Sequence, residues 1–278
     1  MLLGFDYDAE GLALSAFVDL LAGQGGDYSY QFALMPNTGL PTGVDIDVDG
    51  RTGGPRDAQG YGRFAGEGGM AVLSRFPIDD SAIVDWSELL WRDLPGARLP
   101  SGMGAEVLSL QRLSSTAHWK VAVRLDGGQT LSLLAWHSTP PAFDGPDDRN
   151  GWRNHDETAL WLKLLDGSMP GRPDGAFAVI GNANLDPAVG EGQREALTAL
   201  LGHSLLQDPA PQGARGAATV DFGQDVTPGI LRVDYVLPAA ALEVTAAGVI
   251  WPEADEPFLA VVEAASRHRL VWVDLELP

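Results

Sequence analysis

Apolar positions recur along the chain with two different periods, which predict strands and helices. Helical spacing covers residues 9–22, where Gly23 ends the run, and also 156–165 and 194–201. Short runs dense in apolar residues predict strands at 70–76, 119–125, 130–137, 176–180, 231–237 and 270–275. Because strands and helices are interleaved without a repeat or a linker, the pattern predicts one α/β domain over residues 1–278.

Two stretches depart from this pattern. Residues 36–69 are dense in Gly, Pro and Asp, and a loop of that length inside a domain is usually functional. Leu2 and Leu3 resemble the end of a buried strand, and neither a basic nor an apolar leader segment precedes them. We therefore expect no signal peptide in the sequence as written, and the compartment stays open.

Composition and charge narrow the function classes. Apolar residues make up 45% and charged residues 20% of the 278 positions, as in ordinary globular proteins. No apolar run approaches the roughly 20 residues that span a bilayer. Cysteine is absent, which excludes thiolate nucleophiles and cysteine-ligated metals. A net charge of −20 disfavours binding of long nucleic acids but leaves small phosphate-containing ligands open.

Polar groups follow four of the apolar runs, and strand ends are where α/β proteins build sites. A single His or Asp in such a place is more often a capping or solvated residue, so one segment alone indicates little. The four segments together, in this order and spacing, predict a site; they are Trp-His-Ser-Thr-Pro at 136–140, Gly-Asn-Ala-Asn at 181–184, Arg-Val-Asp-Tyr-Val-Leu-Pro at 232–238 and Ser-Arg-His-Arg at 266–269.

These segments resemble motifs of the endonuclease/exonuclease/phosphatase superfamily, the relatives of deoxyribonuclease I, and in particular a bacterial branch. The resemblance runs from residue 3 to the C terminus and includes the Phe-Asp-Tyr-Asp, Asp-x-Asp-x-Asp-Gly-Arg and Arg-Asn-His-Asp-Glu segments. It implies an α/β four-layer sandwich, with two mixed β-sheets face to face and helices outside. It also implies phosphoester hydrolysis assisted by Mg²⁺ or Mn²⁺.

The resemblance also implies residue roles. Asp234 matches the Asp that orients a catalytic His, His268 matches that His, and Asn184 matches the Asn of Gly-Asp-x-Asn. His137 matches a phosphate-contacting His. A polar segment beside the cleft is expected to contact substrate, through Arg149, Asn150, Arg153, Asn154 and His155.

Three departures from the family motifs fall on carboxylates that bind or face the metal. Gly4 stands in place of a Glu, Asn182 in place of an Asp, and Arg267 in place of another Asp. Because Mg²⁺ prefers charged oxygen ligands, we expect a degraded metal site. The Arg267 guanidinium is expected to take the place of the metal and pair with a phosphate of the substrate.

The resemblance places the family's first strand and helix upstream of Met1, so we expect these elements to be missing. Any export signal, which relatives of this branch carry, would be lost with them. An incomplete sheet leaves an unpaired edge, which favours self-association. Three functions follow as alternatives: a metal-dependent hydrolase of weak or no activity, a pseudoenzyme that binds a phosphate ligand or a protein, and a truncated product without a stable role.

An acidic run in the long loop has part of a calcium-loop spacing. Asp45, Asp47 and Asp49 alternate before Gly50, but Arg56 stands where an EF-hand carries its bidentate Glu. An EF-hand is therefore not expected. A structural Ca²⁺ and a simple solvated acidic turn both stay open.

Overall fold

The computed structural model describes residues 1–277. The strands are β1 (Leu2–Phe5), β2 (Tyr30–Phe32), β3 (Gly69–Ser74), β4 (Val84–Asp85), β5 (Ala117–Arg124), β6 (Thr130–His137), β7 (Ala176–Asn182), β8 (Val220–Asp221), β9 (Ile230–Leu231), β10 (Asp234–Pro238), β11 (Glu243–Val249) and β12 (Val271–Glu276). The helices are α1 (Leu12–Gly23), α2 (Ala105–Leu110), α3 (Arg149–Leu165), α4 (Glu195–Leu201) and α5 (Phe258–Ala265).

Two sheets dominate the fold. The larger has the order β10-β7-β6-β5-β4 and is mixed, because β6 and β7 run parallel while the other neighbours are antiparallel. The smaller has the order β1-β3-β2 and is antiparallel, which differs from the expectation of two mixed sheets. Strands β11 and β12 form an antiparallel pair, and β8 pairs with β9.

The alternating pattern of β3 shows how the layers stack. All six of its residues are buried, so both faces of this strand are covered. Met70 and Val72 pack against Trp119 of β5, which brings the two sheets face to face. Ala71 and Leu73, on the other face, pack against α1. The smaller sheet therefore has the larger sheet on one side and a helix on the other.

Helix α3 covers the outer face of the larger sheet. Leu160 and Leu164 of α3 belong to one buried cluster with Trp136 of β6 and Val179 of β7, and Leu197 of α4 joins it. The order of layers is thus helix, sheet, sheet, helix. This confirms the predicted four-layer α/β sandwich.

Close approach of β6 and β7 explains why a glycine precedes Asn182. Gly181 has φ 151°, and a Cβ there would lie 2.0 Å from the backbone oxygen of Trp136. Any side chain at this position would push β6 and β7 apart. These two strands lead into the polar segments at 136–140 and 181–184. The glycine is therefore part of the framework of the site.

The elements agree with the sequence pattern except where polar groups are buried. Helix α3 begins at Arg149, well before the predicted 156, because polar residues in its first turns are buried by tertiary hydrogen bonds. The predicted strand at 231–237 is split into β9 and β10, since the Arg232 N–H donates to Asp186 and the Val233 carbonyl accepts from Ala183. Within residues 1–277, no helix is long and apolar enough to cross a membrane.

Candidate functional site

Three polar side chains stand in one row across the larger sheet. His137 ends β6 and is paired in register with Asn182, which ends β7, and Asn182 is in turn paired with Asp234 at the start of β10. Directly opposed residues of neighbouring strands share a face of the sheet. The row continues to Ala117 of β5, which packs in the cluster between the sheets, so the three side chains lie on the inner face.

His268 joins this row from the segment that follows α5. Its Nδ1 lies 2.8 Å from Oδ2 of Asp234, and a backbone bridge to Val220 fixes the segment beside β8. The Thr219 hydroxyl accepts the Asp234 N–H at 3.0 Å and so holds the start of β10. A carboxylate at Nδ1 accepts the Nδ1–H, which leaves Nε2 of a neutral His268 as a proton acceptor.

His137 is electrostatically linked to the same pair. Burial and, to a smaller extent, the charge on His268 lower the pKa of His137 to about 4, while the Asp234 carboxylate acts in the opposite direction. His137 is therefore neutral at pH 7, with one N–H to donate and one nitrogen to accept. A neutral N–H donor on His137, beside the proton-accepting Nε2 of His268, suits an oxyanion ligand.

The two asparagines of the Gly-Asn-Ala-Asn segment hold the turn after β7. The Asn184 N–H donates to Oδ1 of Asn182 at 2.5 Å, and Nδ2 of Asn184 donates to the Ser138 carbonyl at 2.7 Å. Asn184 has φ 50°, a left-handed conformation that Asn tolerates better than most residues. The amide oxygen of Asn182 is thus already engaged within the turn.

Comparison with known proteins identifies the family to which the chain belongs. The family model described as "Endonuclease/Exonuclease/phosphatase family" matches residues 4–268, which span the small sheet, the row and His268. The chain belongs to the endonuclease/exonuclease/phosphatase family. Members of this family typically use a divalent metal. No curated protein matches the chain.

Solved structures of endonuclease/exonuclease/phosphatase proteins share the fold at low identity. One from Beutenbergia cavernae has a TM-score of 0.59 and 19% identity, and the alignment covers 99% of this chain and 61% of that one. The human Nocturnin catalytic domain with bound sulfate has a TM-score of 0.54 and 13% identity, with 100% and 80% covered. The Neisseria 3′ phosphatase NExo bound to a product DNA hairpin has a TM-score of 0.52 and 15% identity, with 99% and 88% covered. The chain thus spans 61% of the first structure's length.

Two of the three departures from the family motifs, Gly4 and Asn182, lie on strands. Gly4 is exposed on β1, on the face it shares with Leu2 and Met70, which packs toward the larger sheet. A Cβ at Gly4 would be 3.7 Å from the nearest atom, so there is room for a side chain. Asn182 lies within the row, beside Asp234. These positions offer an amide and open space where Mg²⁺ prefers carboxylates, so this donor set does not fit that ion.

Arg267 lies in the segment between α5 and His268. Its guanidinium Nη1 lies 2.7 Å from Oδ2 of Asp225 in an exposed ion pair. The structure thus gives this guanidinium the Asp225 carboxylate as its partner, and the expected contact of Arg267 with a phosphate stays a prediction. The pair ties the His268 segment to the loop between β8 and β9.

The predicted substrate-contacting residues at the start of α3 hold loops. The Arg149 guanidinium donates to the Gln111 side chain and, at 3.4 Å, to the Ile46 carbonyl. Burial lowers the pKa of Arg149, while Asp144 and Asp47 oppose the shift. Nδ2 of Asn150 donates to the Ala142 carbonyl at 2.7 Å.

The next turn of α3 sends its polar residues in two directions. Arg153 and Asn154 are buried under the strand ends, where they donate to backbone carbonyls of 59, 112–114, 139 and 183. His155 instead lines a cavity of about 250 Å³ between α3, α4 and residues 94–98. Its Nδ1 lies 2.9 Å from Oδ1 of buried Asp156. The structure therefore separates His155 from the row.

The acidic run forms a cluster in the described chain. One carboxylate oxygen from each of Asp45, Asp47 and Asp49 lies within 4.8 Å of the others. Two backbone N–H groups, of Asp49 and Gly50, already donate to Asp45 at 3.1 and 2.9 Å. The cluster is thus a hydrogen-bonded turn that faces solvent.

The sequence interpretation did not single out two residues that shape the site. Thr219 supports Asp234 through one hydroxyl, and a lone Thr carries no pattern that would reveal this. Glu157 is fully buried and bonds to the ends of β5 and β6. Its signal was its place in the Arg-Asn-His-Asp-Glu segment, three residues from Asn154 on the same side of a helix.

Proposed function

We propose that the inner-face row binds the phosphate group of a small phosphoester and hydrolyses it weakly or not at all. The observation that carries this proposal is the Asp234–His268 pair beside a neutral His137, with no carboxylate at Gly4, Asn182 or Arg267. The His137 N–H donates to a phosphate oxygen. Nε2 of His268 accepts a proton from the attacking water, and Asp234 stabilises the imidazolium that forms.

Weak turnover follows from the charge that the site lacks. As a water oxygen bonds to phosphorus and the leaving oxygen departs, negative charge builds up on the phosphoryl and leaving oxygens. A divalent metal supplies the neutralising charge in the family, and the donors here do not fit Mg²⁺. The net charge of −20 supports a small phosphate-containing ligand over a long nucleic acid.

Turnover of bis-p-nitrophenyl phosphate, titrated with Mg²⁺ and Mn²⁺, tests this proposal together with phosphate binding followed by NMR. We expect phosphate to bind, binding to be lost in His137→Ala because the donor N–H is removed, and turnover to stay near background at every metal concentration. The matched control is His203→Ala, in the turn after α4. Strong metal-dependent turnover that His268→Ala abolishes would show a competent hydrolase, and absence of phosphate binding would refute the site.

A second candidate, a protein-binding role, is favoured by an apolar helix surface. All eight residues of α5 are at least partly exposed, with Phe258 53% and Val261 58% exposed. We propose that this surface and the edge of β1 that faces away from β3 support self-association.

A structural Ca²⁺ at Asp45, Asp47 and Asp49 likewise remains a proposal. Calorimetric titration of Ca²⁺ into the parent and Asp47→Asn tests it, and equal heats in both would reject it.

A further inference from the structure

Two buried side chains of α3 bind the backbone on both sides of the site. Nδ2 of Asn154 donates to the carbonyls of Thr139 at 2.7 Å and Ala183 at 2.6 Å. Thr139 lies two residues after His137, and Ala183 lies between Asn182 and Asn184. One amide group therefore ties together the chain segments that leave β6 and β7.

Glu157, one turn further along α3, completes the arrangement. Its Oε1 accepts from the N–H and the hydroxyl of Ser115 at 2.5 and 2.7 Å, and its Oε2 accepts from the Thr139 N–H at 2.7 Å. Asn154 and Glu157 thus hold both the carbonyl and the N–H of Thr139. Ser115 precedes β5, so the ends of β5, β6 and β7 are all fixed from one helix.

Burying a carboxylate in order to hold a loop costs free energy. Glu157 and Asn154 are each 0% exposed, and burial raises the pKa of Glu157 while the Arg153 guanidinium opposes the shift. An apolar residue of similar volume usually fills a core at lower cost in free energy than a buried charge does. What a carboxylate and an amide offer beyond apolar packing is directional bonding to backbone groups.

We propose that Asn154 and Glu157 are positioning residues, which hold the backbone of residues 139 and 183 so that His137 and Asn182 keep their places in the row. This reassigns Asn154 from the expected substrate contact to a support behind the site. The inference rests on the proposed function only for its ligand-binding readout. The geometry of the histidine row can be measured without any ligand.

The test compares Glu157→Gln and Asn154→Leu with the parent by NMR of the imidazole nitrogens. The chain has five histidines, so each ring can be assigned by substitution. We expect the His137 and His268 signals to shift in both variants while His203, in the turn after α4, does not move. Inorganic phosphate should bind about tenfold more weakly, because the loss of one buried charged hydrogen bond has that scale.

Thr158→Val provides the matched control on the same helix. Thr158 is 0% exposed, and its hydroxyl finds no hydrogen-bond partner within residues 1–277, so this isosteric change alters the core without touching the strand ends. It should leave the His137 and His268 signals and phosphate affinity unchanged. If the stronger variants fail to fold, Ser115→Ala removes a single bond to Glu157 and should shift the same signals by less.

Separate outcomes distinguish this proposal from the proposed function. If the α3 variants lower the melting temperature but leave the His137 and His268 signals as in the parent, Asn154 and Glu157 are merely structural and the inference is wrong. If the parent binds no phosphate while the imidazole signals still shift in the variants, the proposed function fails and the positioning role stands.

Discussion

At the scale of single residues, burial keeps two histidines neutral: His118 in the core and His137 in the site. His118 is fully buried, with Nε2 2.9 Å from the Glu157 carbonyl and Nδ1 2.6 Å from the Ser114 hydroxyl. Since a carbonyl only accepts, Nε2 carries the proton and Nδ1 accepts from Ser114. Burial lowers the pKa of His118 to about 4, as it does for His137.

Acid should therefore destabilise the protein through these two residues. An unfolded histidine titrates near 6.5, so between about pH 6.5 and pH 4 the unfolded chain binds protons that the folded chain does not. The free energy of unfolding should fall across this window, by up to about 3 kcal/mol per histidine. Urea unfolding from pH 7 to pH 4 measures this, and His118→Gln should flatten the pH dependence. Identical curves for the variant and the parent would contradict the assignment.

A second residue-scale prediction concerns Gly181. Gly181→Ala should reduce the free energy of unfolding by about 3 kcal/mol or more, because the new methyl group would meet the Trp136 carbonyl and force β6 from β7. Gly127→Ala is the control: φ there is also positive, at 83°, but nothing lies within 4 Å of the new Cβ. That variant should lose only the backbone penalty, about 1–2 kcal/mol. If Gly181→Ala and Gly127→Ala lose equal free energy of unfolding, β6 and β7 move apart easily to accept the methyl group.

At the scale of elements, the long loop 36–69 is fastened by buried polar groups. The Asp57 carboxylate accepts the N–H groups of Ile46 and Gly54, each at 2.8 Å. Asn37 donates to the carbonyls of Ser87 and Ser114 at 2.6 and 2.8 Å. From outside the loop, Arg149 reaches the Ile46 carbonyl, so the first turn of α3 also holds it.

Arg149→Met should loosen this loop. The variant removes the guanidinium bonds to Gln111 and Ile46 while keeping an apolar side chain of similar length, so cleavage within 36–69 should become faster. Limited proteolysis followed by mass spectrometry measures the rate at each site. Arg56→Met, an exposed change inside the same loop, should cleave as the parent does. If Arg149→Met is cleaved at the same rate as the parent and Arg56→Met, α3 does not restrain the loop.

Sequence patterns predict elements well where apolar residues alternate and poorly where polar groups are buried. Periodicity located most of β6 and β7, because their apolar residues fill the core. It missed the first two turns of α3, since Arg153 and Asn154 look like surface residues until their backbone partners are known. Motif spacing indicated His268 and Asp234. The orientations of His155 and Arg267 depend instead on contacts with Asp156 and Asp225, which no spacing in the sequence predicts.

At the scale of the whole molecule, exposed apolar surface predicts association despite the strong negative charge. Phe258 and Val261 are three residues apart on α5 and share one face. Light scattering at micromolar concentration should show a species larger than a monomer. Val261→Lys should shift it toward monomer, whereas Glu263→Lys, on the same helix, changes the charge without removing apolar surface and should not. A monomeric parent would refute self-association through this surface.

We propose that the cleft retains the family's framework but lacks its metal-binding carboxylates. Restoring them through Gly4→Glu, Asn182→Asp and Arg267→Asp adds three negative charges and removes one positive. Without metal the new carboxylates repel one another, so the triple variant should melt below the parent. Because Mn²⁺ binds only the folded protein, it should raise the melting temperature of the triple variant back toward that of the parent. Each single substitution should respond much less, because ligands that share one ion act together.

The most direct measurement is the melting temperature of the parent and the triple variant with and without Mn²⁺. We expect a large metal-induced rise for the triple variant and almost none for the parent, together with phosphodiesterase activity in the triple variant that His268→Ala removes. A parent that responds to Mn²⁺ and turns over substrate as strongly as the triple variant would contradict this proposal.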